Sequence, residues 1–493
     1  MARWLTLEDA KASFNLFCCV YGIGTLGMPG NFARAGPTYG ALALAFMGLA
    51  NVYASVVCSK VMLRAPASVQ TFADLGGWAL GRHGRLAVIA SQLGVCLFVP
   101  CAFLVLGGSL LDTVIPDAFS PRHWTILMAI SILPICLVPT LKEGAGAALA
   151  GCIGTIVADF LALGVLVYYL GADTGAPIPP PDITFDSIAS TFGNLALAYG
   201  AAIVIPDLQR QHSDPTRMPR VVLFTLLLVT LLFVTIAITG YSMVGCQIPG
   251  NLLFAVSGTA LGFQSPRGPI VLAFLAMQLH ITIGFSVLLH PAFYYAERSV
   301  LGLHAPRRTR LLHGDEESAT DDATSDEASD ATPSECAQDA ALVHAPRASD
   351  VDDNDDDNEA LGKTLDGDDD DPRFAACCML RSAIVAGLTL ASVVLHDHFH
   401  ELVDLVGASS VSLSCIILPI LSYVAVFGEK VPWYERVYCY IVVVVCGVLS
   451  LYVTIKSASS MLWPAATDIV FPFCPAEYQH VAYTNMTHYK PTT

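Results

Sequence analysis

The chain has 493 residues, 54% of them hydrophobic and only 14% charged, with a mean hydropathy of +0.59; soluble domains carry about a quarter charged residues, so a string of soluble domains is excluded in favour of one membrane bundle. The formal net charge of -17 is local: 22 of the 42 acidic and 5 of the 25 basic residues lie between Ala305 and Pro372, and the rest of the chain holds 20 of each. No basic cluster points to nucleic acid, and the 15 cysteines sit mostly in apolar stretches without the C-x-x-C spacing of a zinc site.

The first residues are charged and carry no small-residue cleavage site, so no signal peptide is expected. Eleven apolar stretches follow, at 13–36, 38–62, 86–111, 123–140, 147–170, 186–206, 219–244, 268–296, 375–396, 401–427 and 434–457. Each approaches the roughly 20 residues that a helix needs to cross a bilayer. The first is broken at Tyr21-Gly22-Ile23-Gly24-Thr25-Leu26-Gly27-Met28-Pro29-Gly30. Closely spaced glycines with a proline among them do not hold a regular helix, and unpaired backbone is tolerated at membrane depth only beside a cavity or inside protein. Amides freed around Gly24 to Leu26 form a carboxylate site at a new helix N-terminus, and Gly22, Ile23, Gly24, Thr25 and Leu26 are the substrate-binding candidates of this break. The competing reading is a small-residue packing face, which leaves Pro29 unexplained.

Asp159 stands in the middle of the fifth span, where a carboxylate is a functional candidate by default. A proton relay and a structural hydrogen bond are both open to it. The sixth span is broken at Ala198-Tyr199-Gly200-Ala201-Ala202, ahead of Pro206, at the place that matches the first break. Paired interruptions in two halves point to a transporter binding site. Tyr199 either offers its hydroxyl or ring to a substrate or fills the core. In the eighth span Thr282 and Ser286 lie one turn apart, near His280 and His290. The two hydroxyls are candidates for a coupling cation, against the alternative that they bond back to their own helix.

With the N-terminus in the cytoplasm, 20 Lys and Arg fall inside and 5 outside, namely Arg34, Arg122, Arg267, Lys456 and Lys490. A missed span would scramble this asymmetry. The division is then one transmembrane domain made of 1–304 and 373–457, an acidic cytoplasmic loop at 305–372, and an extracytosolic tail at 458–493. The loop is too polar to bury a core and reads as a disordered tether; the alternative is regulation or a cytosolic partner through its Ser and Thr. The tail carries the sequon Asn485-Met486-Thr487, a glycosylation candidate. Cys246 and Cys474 both fall outside, either as a disulfide or as two free thiols.

Several residue runs resemble the amino acid/auxin permease family. They are Phe14-Asn15-Leu16 through Pro29 to Ala33-Arg34-Ala35-Gly36, close to that family's GxGxLxxP core; Thr71 to Gly76 with Gly81 to Arg85; Phe192-Gly193 through Gly200, Pro206 and Gln209 to Pro219; and Leu405 to Ala408 with Pro419. The likeness covers nearly all the chain except the acidic loop and the tail. It implies an all-α polytopic membrane protein with a LeuT-like 5+5 inverted repeat plus one extra helix. It also implies proton- or sodium-coupled transport of an amino acid, with the substrate carboxylate at Gly22, Gly24, Thr25 and Leu26 and the amino group near Tyr199 and Gly200. Sodium-coupled members often carry Asn where this chain has Cys18, and a thiol is a poor ligand for a hard cation, so a proton is the expected coupling ion. Thr282 matches the family's cation position in the eighth span.

No G-x-S-x-G, P-loop or H-E-x-x-H run occurs, so no enzyme, cofactor or bound metal is expected. The resulting expectation is a secondary transporter of neutral amino acids in the plasma membrane rather than a vacuolar or lysosomal one. The rivals are a carrier of another small organic solute and a non-transporting amino acid sensor.

Overall fold

The computed structural model describes residues 6–137, 144–170, 179–257, 261, 266–302, 372–463, 469–480 and 482. The acidic stretch at 305–371 and Asn485 lie outside the described residues. The main helices are α1 (Leu7–Val20), α2 (Met28–Met62), α3 (Phe72–Val114), α4 (Pro121–Leu137), α5 (Gly144–Leu170), α6 (Phe185–Ala198), α7 (Ile205–Gln211), α8 (Met218–Val244), α9 (Leu252–Val256), α10 (Arg267–Val300), α11 (Pro372–Val394), α12 (Phe399–Val406), α13 (Leu418–Phe427) and α14 (Trp433–Leu462). No strand occurs among the described residues. Two units are distinguished, Met1–Phe293 with Arg381–Thr493, and Tyr294–Leu380. In the second, the described parts are the last turns of α10, Leu301 and Gly302, and the first turns of α11.

Helix starts follow from local chemistry. Thr6, Thr71 and Thr184 each close a reciprocal capping box with the residue three positions on, Asp9, Asp74 and Ser187. Breaks follow from glycine: α2 bends at Gly36 (φ 74°), just before Pro37, and α3 bends at Gly81 (φ 70°), both in the left-handed region that suits residues without Cβ. Nine of the described helical segments are long and apolar enough to cross a membrane, and α4 is a shorter apolar one. One of the nine, Ile23–Met62, contains the Gly36 bend, so about eleven crossings result, in agreement with the sequence reading.

The outward faces are apolar. Leu223, Phe224, Leu227 and Leu231 on α8 are about half exposed, as lipid-facing side chains are. Trp433 and Trp463 are exposed at the two ends of α14. Thirty residues of helix reach about 45 Å, the thickness of a bilayer with its headgroups, where Trp anchors. Four of the five basic residues expected outside are tied down, and Lys490 lies outside the described residues. Arg34 pairs with Asp404 at 2.8 Å, Arg122 with Asp397 at 3.0 Å and Lys456 with Asp186 at 3.3 Å, while Arg267 donates to the Val114 carbonyl at 2.9 Å. They therefore do local structural work, which leaves topology to the larger set.

Candidate substrate site

Both glycine-rich interruptions are real breaks. α1 ends at Val20, Tyr21 is extended (φ -80°, ψ 93°), and a tight turn over Ile23–Gly27 leads into α2. Amides that begin such a turn have no acceptor in a preceding turn, so those of Gly22, Ile23 and Gly24 are the ones available to a ligand. α6 ends at Ala198, and the chain passes Tyr199 and Gly200 before it resumes at Ala202–Val204 and α7. The two breaks touch. A Cβ on Gly24 would stand 2.7 Å from the Cα and Cβ of Ala198, closer than real contacts allow. Glycine is what permits that approach.

One cavity of about 360 Å³ is lined by Gly22, Ile23 and Gly24 of the first break and by Ala198 and Gly200 of the second. Its wall is mostly apolar, with Val95, Val99, Phe103, Ile283 and Leu288 among the lining residues, and Gln92, Asp207 and His280 supply polar groups. It contains no Lys or Arg among its described lining residues. Cys18 lines it too, at the end of α1 next to the break. Thr25 and Leu26 are fully buried behind the turn rather than on the cavity wall.

Asp159 belongs to the first break. It is 1% exposed, and its carboxylate accepts from the Tyr21 hydroxyl at 2.9 Å and the Thr25 hydroxyl at 3.0 Å. The Thr25 hydroxyl lies equally near the Gly22 carbonyl, at 3.0 Å, so one proton is shared between the carboxylate and the unwound backbone. The state of this carboxylate therefore bears directly on the turn that carries the ligand-facing amides.

The other sequence candidates sit elsewhere. Tyr199 is wholly buried, its hydroxyl donates to Thr230 Oγ1 at 3.0 Å, and its ring packs on Phe233 with centroids 5.0 Å apart. It braces the second break from behind instead of facing the cavity. Thr282 bonds back to the Gln278 carbonyl at 2.9 Å, and neither it nor buried Ser286 is on the cavity wall. His280, two residues before Thr282, is the α10 side chain that reaches the breaks. Its Nδ1 lies 3.1 Å from the Gly151 carbonyl, and a Cβ on Gly22 would stand 3.0 Å from its Nε2. Cys246 and Cys474 form a disulfide with Cα atoms 5.3 Å apart.

Sequence reasoning passed over Tyr21, Asp207, Val411 and Cys415. Asp207 left a signal, an acid directly after Pro206 at the end of a broken span. Val411 and Cys415 did not: they reach the cavity because Gly407–Val411 and Leu413–Ile417 wind as wide π-helical turns. Such turns recur at functional sites, but apolar periodicity does not announce them.

Two further spaces continue from the cavity. A space of about 10 Å³ shares Ile23, Gly24 and Leu197 with it and is bordered also by Leu106, Gly250 and His400. Gly250 and His400 border in turn a vestibule of about 470 Å³ that holds Arg34 and Asp404. The line from breaks to vestibule is thus pinched to less than the volume of a substrate. At the other end, Asp9 at the start of α1 binds Arg217 (2.6 Å) and lies 3.2 Å from His212 Nε2. The Arg217 guanidinium holds the Asp9 carboxyl well below the usual carboxylate range against the opposing effect of burial. A lowered folded value means that this tie is present at neutral pH and is lost only in acid below the ordinary carboxylate range.

Residues 9–460 match the family described as transmembrane amino acid transporter protein. The chain belongs to that family. Among its relatives are amino acid transporter AVT1D of Arabidopsis thaliana, 25% identical over 244 residues, and vacuolar amino acid transporter 7 of Saccharomyces cerevisiae, 24% identical over 301 residues. The first match covers 47% of this chain and 42% of the relative, and the second covers 58% of each. The chain thus spans about half the length of the curated relatives it matches. The crystal structure of MhsT in complex with L-phenylalanine superposes with a TM-score of 0.53 at 12% identity, covering 92% of this chain and 99% of that one. This likeness shows the fold alone, a LeuT-like helical transporter fold for this member of the amino acid transporter family.

Proposed function

We propose that this chain is a secondary active transporter of neutral amino acids, coupled to protons and working by alternating access. The observation that carries the reading is the meeting of two broken helices on one cavity, with Asp159 bonded to the first of them. Backbone dipoles at the two breaks match the two charges of a zwitterion without burying a full unpaired charge. A lining without Lys or Arg, and with Phe103, Val99 and Leu288, favours an uncharged side chain. The names of the curated relatives favour an amino acid over another small solute.

Asp159 is the proton carrier in this reading. Protonation weakens the bonds it accepts from Tyr21 and Thr25, which loosens the turn and couples the carboxyl to the substrate amides. The pinch above the breaks, with the Arg34–Asp404 pair beyond it, is the outer closure, and the cavity beneath belongs to an outward-closed state. The plasma membrane is the expected location from sequence. The vacuolar name of a matched relative favours a second reading, an acidic organelle with the same topology.

Uptake of radiolabelled amino acids into proteoliposomes, with an imposed proton gradient, a sodium gradient or neither, tests the function. Uptake driven by protons and abolished by a protonophore is expected. Dependence on sodium alone would overturn the coupling ion. Binding without saturable flux under any gradient would overturn transport in favour of the sensor.

A further inference from the structure

The extracytosolic tail is built into the outer vestibule. Ile469, Val470, Phe471, Pro472 and Phe473 line it together with Arg34 and Asp404. Three attachments hold this segment. Cys474 is disulfide-bonded to Cys246 beside the end of α8, the Phe473 carbonyl accepts from Asp182 N at 2.8 Å, and the Tyr478 carbonyl accepts from Gln247 Nε2 at 2.9 Å. The Phe473 ring then lies over the Arg34 guanidinium, 5.5 Å from its carbon to the ring centroid.

Arg34 is otherwise committed. It donates to Asp404 Oδ2 at 2.8 Å and to the Ser190 carbonyl at 3.3 Å. A buried ion pair is favourable only when its geometry is fixed and its remaining faces are covered. An aromatic face over the guanidinium supplies that cover and a further attraction of its own.

From this geometry we infer that the C-terminal segment Ile469–Tyr478 is a strap that biases the protein towards its outward-closed state, with Phe473 a positioning residue that acts through Arg34. The inference rests on the Arg34–Asp404 pair being the outer closure of the proposed cycle. Opening that side separates Arg34 from Asp404, and the tethered ring, which follows neither helix, opposes the movement. The strap is fixed at Phe473 to the loop before α6 and at Cys474 and Tyr478 to the loop after α8, so the ring is held by bonds other than the ion pair it covers.

Two reporter cysteines in nanodiscs test this without any need for transport. Leu106→Cys lies at the pinch and Val204→Cys on the inner part of the cavity. Maleimide labelling of each is compared with chains that lack the reporter, which removes the background from native thiols. Phe473→Ala is expected to raise labelling at Leu106→Cys about fivefold, the factor for an attraction of about 1 kcal/mol, and to lower labelling at Val204→Cys. Phe473→Trp should restore both rates, whereas Phe473→Leu should behave like Ala. Paired Cys246→Ser and Cys474→Ser, which free the strap while keeping the ring, should shift the rates in the same directions. Unchanged rates in both variants, a rise at both reporters, or rescue by Leu would overturn the strap. Uptake by the unaltered protein is scored separately, so failure of the strap leaves transport standing and failure of transport leaves the labelling decisive.

Discussion

In the proposed function, Asp159 is the residue on which coupling turns. Its two hydrogen-bond donors, Tyr21 and Thr25, both belong to the first break, so its protonation state and the shape of the ligand turn are one variable. Asn at this position keeps the volume and one acceptor oxygen but cannot carry a proton. Asp159→Asn is therefore expected to lose concentrative, gradient-driven uptake while exchange of labelled for unlabelled amino acid across the membrane persists. Losing a hydrogen bond to a charged group costs about 1.5–3 kcal/mol, so a lower thermal midpoint should accompany the change. Concentrative uptake at the unaltered rate would remove Asp159 from the coupling role. The sequence made this residue visible because an ionisable group inside an apolar span is rare. It did not reveal the partners, since Tyr21 and Thr25 are 138 and 134 residues away in the chain. Tyr199 shows the reverse limit. Its place at a break was legible, but which way its ring turned depended on Phe233 and Thr230 of α8.

At the scale of elements, the bundle is held close by glycine where backbones touch. A Cβ on Gly407 would stand 1.8 Å from the Gly193 carbonyl oxygen, and one on Gly193 would stand 2.3 Å from the Asp404 carbonyl oxygen. α6 and the π-helical turn after α12 thus meet without side chains between them, next to the acid that binds Arg34. Gly407→Ala must push these backbones apart, and overpacking of this kind costs about 1–3 kcal/mol. Gly447 on α14 has open space where its Cβ would stand. Gly447→Ala should leave stability unchanged or raise it, since alanine favours helix by up to about 1 kcal/mol. Thermal unfolding in detergent checks the contrast, and equal midpoints for the two variants would refute the packing argument. Helix existence, the breaks and the Gly36 bend were readable because apolar length, glycine density and proline act locally. The π-helical winding and the pinch were not, because both arise from how distant helices share space.

At the scale of the whole chain, the acidic excess and the proposed transport site occupy different residues. Every group assigned here to substrate, coupling or closure lies before Phe293 or after Arg381, within one compact unit. The acidic excess lies between Ala305 and Pro372. The sequence reading of that stretch as a tether rests on its composition, rich in Asp, Ser and Thr, and its charge is screened over about a nanometre at physiological salt. If its role is that of a tether, a variant lacking residues 312–370 keeps the unit that carries the site. Its uptake rate and KM should then lie within about twofold of the full chain, because loop length alters the cost of closing a connection only slowly. Retained binding of amino acid with loss of flux would instead place the loop in the transport cycle. Normal flux joined to loss of a cytosolic response would assign it to signalling, with the bundle acting as both carrier and detector. The comparison needs the full chain beside the variant in the same vesicles, since only the ratio separates a tether from a working part.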